Sequence, residues 1–301
     1  MKYFIQTFSN DGWLNIDISK ELYNEILSSL SSLQELKRIE EKFDLVIENY
    51  IETEDSFSEL TLRSMLHSNT AIDNINQSRS VLNRRLMNYL SSVKSYIDQT
   101  KKNFLKLASG DREKLALLNS VFEQQAEENF EYKIMELIRN FSQHNDFPVQ
   151  NISLSWRMRK EKDKERQQTE IKISLPVSVL DEDTRIDKKL IKELNSKGDS
   201  IDLREYSRGY LAGIWNVHKW IRAYFSEDSV KWHRCLESCN KLFSLEYPDF
   251  FPERISVCKG SDLEKECEKV SLYKDSFDYM RFLIKKNNYL DNFRARIFTS
   301  Y

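Results

Sequence analysis

An arginine, an asparagine and a histidine that could cleave a phosphodiester lie within one short run, at Arg139, Asn140 and His144. The imidazole of a histidine titrates near neutral pH, so it can accept a proton from an attacking hydroxyl or donate one to a leaving oxygen. A guanidinium is always charged, and its planar fork of donors fits a phosphate. Asn140 precedes His144 by four residues, so on a helix it could orient the imidazole. Together these side chains predict acid–base chemistry on a phosphate without a metal.

The three residues fall at the end of an amphipathic helical run that begins near Asp111. Pro148 and the polar pair before Phe147 predict that this helix stops there. A histidine in the last turn lies beside unpaired carbonyls at the negative end of the helix dipole. That position also favours any cation, so a purely structural role for the arginine and the histidine stays open. Five residues on an ideal helix turn through about 140°, so Arg139 and His144 share a face only if the last turn distorts.

The run Arg139-Asn140-x-x-x-His144 resembles the R-x4-H signature of HEPN domains. These are all-helical ribonucleases and nucleotide-binding proteins, common in bacterial toxin–antitoxin and phage-defence systems. Ile138 before the motif and Phe147-Pro148 after it are similar to the helix end of that family. The resemblance also extends over the preceding helix, roughly Ala71 to Lys106.

This resemblance implies a metal-independent endoribonuclease that acts as a homodimer in a toxin or anti-phage defence role. His144 is then expected to transfer protons, Arg139 to clamp the phosphate and Asn140 to support the histidine, with each protomer contributing its motif to a composite site. RNA would be the substrate, an antitoxin or defence-system protein a further partner, and no cofactor or metal is implied. The alternative within the same family is a catalytically inactive HEPN-like scaffold, or a nucleotide- or effector-binding subunit of a defence complex.

Helices must position these residues, because the chain has only 6 glycines and 4 prolines in 301 residues and 31% charged residues. Apolar positions recur at helical spacing over 71–106, and Ser109-Gly110 predicts a tight turn into the helix from Asp111. Two long helices joined in this way form an antiparallel hairpin. The predicted fold is mainly α, a HEPN-like antiparallel helical bundle with a β-hairpin insertion and a helical C-terminal region.

Four regions follow from the changes in periodicity along the chain. Residues 1–65 form an N-terminal strand and helix region, with a helix over 19–50, a polar connection over 53–58 and a short helix from 59. Residues 66–148 form the HEPN-like helical core. Residues 149–180 alternate with period two and predict a β-hairpin around a charged tip. Residues 181–301 form the C-terminal helical region, with helices predicted over 181–195, 202–225, 229–243 and 276–288.

Three further groups of residues admit a functional and a structural interpretation. Cys235, Cys239, Cys258 and Cys267 could bind zinc, although no C-x2-C pair is present and buried thiols are common. The aromatic residues from Tyr206 to Phe225 could stack bases, but at helical spacing a core role is favoured. The hairpin carries seven basic and four acidic residues between Arg157 and Lys172, so its tip is only mildly basic.

Composition and motifs exclude several classes of protein. A net charge of −2 gives no global attraction to nucleic acid. There is neither a phosphate-binding glycine-rich loop nor a dinucleotide fingerprint, which argues against ATP or NAD chemistry. The sequence contains no long apolar run and its N-terminus lacks the features of a signal peptide, so a cytoplasmic location without membrane contact is expected. His67 and His218 have no evident acid or nucleophile partner.

Overall fold

Long helices dominate the computed structural model, which describes residues 2–9, 12–66, 71–161, 164–248, 254–260, 267–272 and 274–296. The mainly α prediction is confirmed. The described helices are α1 (Lys20–Leu66), α2 (Ala71–Leu107), α3 (Arg112–Glu128), α4 (Phe130–His144), α5 (Val177–Asp181), α6 (Lys188–Lys197), α7 (Leu203–Tyr224), α8 (Ser226–Glu246) and α9 (Lys274–Lys286). The described strands are β1 (Lys2–Ser9), β2 (Gly12–Asp17), β3 (Asn151–Glu161), β4 (Lys164–Pro176), β5 (Ser200–Asp202), β6 (Ile255–Gly260) and β7 (Cys267–Leu272).

Two units can be separated, each assembled from three stretches of the chain. The first unit contains Met1–Lys42, Gln99–Leu118 and His218–Asn288, and the second contains Phe43–Asp98, Asn119–Val217 and Tyr289–Tyr301. Asp11, His67, Ser68 and residues 162–163 of the predicted hairpin tip lie outside the described residues.

The first unit holds a four-stranded antiparallel sheet in the order β2-β1-β6-β7. The predicted N-terminal strand is part of a hairpin of β1 and β2, and its core side chains, such as Ile5, pack with residues of α1, α8 and α9. Strands β6 and β7 lie in the region predicted to be helical, so that prediction missed them. Both are only six residues long, and β6 is buried on both faces apart from Lys259, so it shows no alternation in sequence.

α1 continues through the polar stretch over 53–58 that was predicted to be a connection, so that prediction is wrong. The hydroxyl of Thr53 donates to the carbonyl of Asn49 at 2.8 Å, and that of Ser56 to Glu52 at 2.9 Å. These hydroxyl groups therefore hydrogen-bond to carbonyl oxygens of the preceding helical turn, and the backbone hydrogen bonds of the helix stay intact. The buried ring of Phe57 anchors this stretch.

The predicted helix from Asp111 to His144 is two helices, α3 and α4, because Asn129 interrupts it with extended backbone. The side-chain oxygen Oδ1 of Asn129 accepts a hydrogen bond from the backbone N–H of Tyr132 at 3.0 Å and so caps α4. Its side-chain nitrogen donates to the carbonyl of Gly209 at 3.0 Å, which ties the cap to α7. The preceding α2 helix ends as predicted, with Gly110 at φ +81° and its N–H bonded to Leu105.

Two glycines of α7 allow α4 to approach closely. A Cβ at Gly209 would lie 2.6 Å from Cβ of Glu131, and one at Gly213 would lie 2.6 Å from a ring carbon of Tyr132. Neither contact is possible for a real side chain, so the spacing between the two helices depends on these glycines. α4, which carries the motif, is thereby fixed at its first turn.

The predicted hairpin is confirmed as β3 and β4, but the charged tip that was predicted to be a long loop is largely strand, since pairing continues to Glu161 with Lys164. β5 adds a third strand next to β4. The helix predicted over 181–195 is present only from Lys188, as α6, while residues 182–187 form a turn and α5 ends at the predicted start. The Asp183 carboxylate accepts the N–H of Arg185 at 3.0 Å in the turn between them, and Asp187 caps α6 by accepting the N–H of Lys189 at 2.9 Å. The acidic run over 181–183 therefore ends one helix and forms a turn, rather than starting a helix.

Candidate functional site

The end of α4 has the form that the sequence predicts. His144 is the last helical residue, and the N–H of Asn145 bonds to the carbonyl of Phe141 at 2.8 Å. The Asp146 carboxylate then accepts the N–H of Phe147 at 2.7 Å, and Pro148 is buried. A short polar turn and a proline therefore stop the helix directly after the histidine.

Arg139 lies inside the second unit and is only 7% exposed. Its Nη2 donates to Oε2 of Glu136 at 3.1 Å, one turn earlier on α4. The other carboxylate oxygen of Glu136 accepts the hydroxyl of Tyr210 on α7. Burial and the neighbouring carboxylate raise the pKa of the Tyr210 phenol well above its ordinary value, so the phenol keeps its proton and donates. In this structure Arg139 is part of a buried network, with no open face toward a phosphate.

Asn140 and His144 are both exposed. They are four residues apart on α4 and therefore lie on one helix face, whereas Arg139 belongs to the buried side. The structure thus brings together two of the three predicted site residues on the surface and places the third in the interior. The rotation expected for five helical residues is preserved, because the last turn stays helical up to His144.

A polar cluster that the sequence did not reveal adjoins the histidine. The side-chain nitrogen of Asn145 donates to Asp183 at 2.7 Å, and Nη2 of Arg185 donates to the side-chain oxygen of Asn145 at 2.7 Å. Arg185 also contacts Asp183 directly, and these bonds hold the pKa of the Asp183 carboxyl well below its ordinary value. Since 38 residues separate Asn145 from Asp183, no local pattern could have indicated the cluster.

An open cavity of about 420 Å³ lies at this cluster. Its lining includes Phe141, Asn145, Asp146, Asp183 and Arg185. The guanidinium of Arg185 is exposed, unlike that of Arg139, but its Nε and Nη2 already donate to Asp183 and Asn145. His144 and Asn140 are exposed nearby in sequence but do not line this cavity, which offers the amide of Asn145 and the guanidinium of Arg185 beside the carboxylates of Asp146, Glu182 and Asp183.

The other candidate groups are mainly structural. Tyr210, Trp215 and Phe225 are buried, which confirms the core interpretation for these three aromatic residues. Cys235, Cys239 and Cys258 are buried, and burial raises the pKa of the Cys239 thiol to about 12. Within the described part of the chain, no three His, Cys, Asp or Glu side chains are grouped closely enough to hold a metal.

His218 has a partner that the sequence did not reveal. Its Nε2 lies 3.2 Å from Oε2 of Glu40, and both side chains are buried in the first unit. Because 178 residues separate the pair, no short-range pattern could have identified it. This histidine is a structural one.

Comparison with protein-family models, with curated proteins and with solved structures finds no match to this chain. None of the described helices combines the length and the apolar character needed to span a membrane.

Proposed function

We propose that this protein is a metal-independent endoribonuclease that acts as a homodimer, with His144 as the proton-transfer residue. The observation that carries the proposal is the exposed pair of His144 and Asn140 at the end of α4, with the Asn145–Arg185 cluster beside it. The toxin or anti-phage defence role belongs to the same proposal and rests on the HEPN resemblance.

The reaction is an internal transesterification of RNA. The 2′-hydroxyl attacks the adjacent phosphorus, a bond forms between the 2′-oxygen and phosphorus, and the bond to the 5′-oxygen breaks. One imidazole accepts the proton of the 2′-hydroxyl, and a second donates a proton to the departing 5′-oxygen. Two copies of His144, one from each protomer, supply both functions, which is why dimerisation is part of the proposal.

Positive charge on the phosphate can come from two arginines in this proposal. Arg185 is already exposed next to the helix end. Arg139 is held by Glu136 and acts here as a positioning residue that fixes α4 against α7. It becomes a phosphate ligand only if it leaves Glu136.

A second candidate function is supported by the burial of Arg139. If the buried network is permanent, half of the motif never meets solvent, and the chain is a catalytically inactive HEPN-like scaffold or a nucleotide- or effector-binding subunit of a defence complex. In that case the exposed histidine serves binding, not catalysis.

Cleavage of total and transfer RNA by the purified protein in EDTA separates these functions. His144→Ala is expected to lower the cleavage rate by about 10²–10⁴-fold, since a general acid–base residue contributes that much. Gln143→Ala is the matched control, because it changes the exposed neighbour of the histidine and leaves the motif intact. Both variants should keep the unfolding midpoint and oligomeric state of the wild type.

Equal cleavage by the wild type and His144→Ala would contradict the assignment of His144. No cleavage by the wild type, together with nucleotide binding that His144→Ala weakens, would favour the second function.

A further inference from the structure

The hairpin of β3 and β4 carries an apolar stripe in solvent. Leu154, Trp156 and Met158 are 49%, 65% and 54% exposed, and they alternate along β3, so they share one face of the ribbon. Every side chain from Ser153 to Met158 is exposed, which means that neither face of this part of β3 is covered. A two-stranded ribbon without a packed face is marginal in water, and an exposed apolar stripe marks an interaction surface.

β3 is also the edge of its sheet. The strand order is β3-β4-β5, so β3 has a neighbour on one side only among the described strands. The 11 residues of β3 pair with β4 over its whole length, from Asn151 with Ser174 to Glu161 with Lys164. The outer side of such a strand presents a row of backbone donors and acceptors to another strand.

We propose that β3 pairs antiparallel with β3 of a second copy of this chain, which joins the two three-stranded sheets into one six-stranded sheet. The inference rests on the proposed function only for the existence of a homodimer, and it does not depend on where the two copies of His144 lie relative to this contact. A two-fold axis perpendicular to the sheet keeps every residue on its own face. The stripes of both copies must therefore meet on the same face and form one continuous apolar surface.

The pattern of residues selects one register. When Ser155 lies opposite Ser155 of the second copy, Leu154 faces the second Trp156 and Ile152 faces the second Met158. No other two-fold register pairs all four apolar residues of this face with one another. On the opposite face Arg157 lies across from the second Ser153, so no two guanidinium groups oppose each other.

The distribution of charge favours a protein partner over RNA. Arg157 and Lys172 belong to the face opposite Trp156, because β3 and β4 alternate in register. Arg157 is further engaged by Glu170 across the ribbon at 3.0 Å. Binding to single-stranded RNA combines stacking rings and cations on one surface, whereas the face of Trp156 carries apolar residues from Ile152 to Met158, with Lys160 paired in register with Glu165 beyond them.

The first test measures assembly by sedimentation of the full chain. The wild type is expected to be a dimer, and Trp156→Glu a monomer at the same concentration, because the new carboxylate would lie against the apolar stripe of the second copy. Leu245→Glu is the matched control, since it places the same charge at an exposed apolar position of α8 and should leave the dimer intact.

The second test reads the register by oxidation of engineered cysteines in a Cys267→Ser background. Ser155→Cys is expected to form a disulfide between copies, because opposed residues in an antiparallel pair have Cα atoms about 4.5–5.5 Å apart, within the range of a disulfide. Ser153→Cys should not crosslink, since its own counterpart lies four residues away along the strand, about 13 Å.

Several results would overturn this interface. A dimer that Trp156→Glu leaves intact would place the contact elsewhere, while the proposed ribonuclease would stand. Crosslinking of Ser153→Cys as readily as Ser155→Cys would contradict the register. A monomeric wild type would overturn both the interface and the dimer of the proposed function, and loss of RNA binding in Trp156→Glu would then assign the stripe to RNA.

Discussion

Each unit contains a largely buried pair of an arginine and a glutamate, Arg222 with Glu40 in the first unit and Arg139 with Glu136 in the second. The two pairs differ in how many hydrogen bonds hold the arginine. Arg222 donates to Glu40 through Nε at 2.8 Å and through Nη2 at 2.6 Å, which is a two-pronged pair. Nε2 of His218 lies 3.2 Å from one of the same oxygens. Both oxygens of Glu40 are therefore matched by strong partners in the interior.

Glu136 holds its arginine less firmly. Arg139 makes one bond of 3.1 Å to it, and Nε of Arg139 is buried with no partner among the described atoms. The second oxygen of Glu136 is bonded by Tyr210, and about a quarter of the Glu136 side chain is exposed. An arginine that turns toward a phosphate would thus leave Glu136 at a lower free-energy cost than Arg222 would leave Glu40.

This difference separates the network of Glu40, which is structural, from the network of Glu136, whose arginine could take part in a functional site. The first cluster resists change because loss of its arginine would leave the Glu40 carboxylate buried and charged. The second keeps a spare donor and a hydrated carboxylate, so the conformation of Arg139 is the less fixed one. The comparison predicts a graded set of stability effects.

Arg222→Ala should give the largest effect, a loss of about 3–5 kcal/mol in the free energy of unfolding, because it strands the Glu40 carboxylate in the interior. Urea unfolding followed by circular dichroism measures it. The control is Arg63→Ala, which removes an exposed pair with Glu59 and should cost less than about 1 kcal/mol. A loss of the same small size in Arg222→Ala would refute the structural role of this cluster.

Acid should act through the same cluster. Burial opposes ionisation of Glu40, but His218 and Arg222 lower its pKa from 4.5 to about 2. Burial lowers the pKa of His218 below 6.5, although the neighbouring Glu40 carboxylate acts to raise it. In both cases the unfolded chain binds the proton first, so the free energy of unfolding falls as the pH falls through these windows.

Between pH 4.5 and pH 2, titration of Glu40 is expected to lower the free energy of unfolding by about 3 kcal/mol, at about 1.4 kcal/mol per pKa unit. The measurement compares wild type and Glu40→Gln across this range, since the glutamine cannot titrate. The gap in stability between the two proteins should narrow as the pH falls. A gap that stays constant from pH 7 to pH 2 would show that Glu40 has the same pKa in the folded and the unfolded protein, which would refute the lowered pKa.

Local signals predicted much of the fold. The bounds of α2, the turn at Gly110, the hairpin of β3 and β4 and the stop after His144 all depend on residues close in sequence, through periodicity, caps and prolines. The break at Asn129 could not be predicted in the same way. The asparagine resembles an ordinary polar helix position, and its cap is secured by the carbonyl of Gly209, 80 residues later.

The candidate site was predictable only in part, for the same reason. Helical spacing alone put Asn140 and His144 on one face, and both are exposed. The burial of Arg139 depends on Tyr210 and on the glycines of α7. The position of Arg185 near the histidine depends on the turn between α5 and α6. Contacts of this range are set by packing, which a single sequence does not display.

Arg139→Ala should give a smaller stability effect than either change at the Glu40 cluster, a loss of about 1–2 kcal/mol, because Glu136 keeps its bond from the hydroxyl of Tyr210 and stays partly exposed to water. The same urea measurement tests it beside Arg222→Ala. A loss as large as that of Arg222→Ala would mean that Arg139 is fixed in the interior, which would favour the catalytically inactive scaffold as the function of the protein. A small loss in stability combined with a large loss in RNA cleavage would instead assign Arg139 a part in catalysis, either as a phosphate ligand or through the position that it gives to α4, since a small displacement of His144 would also slow the reaction.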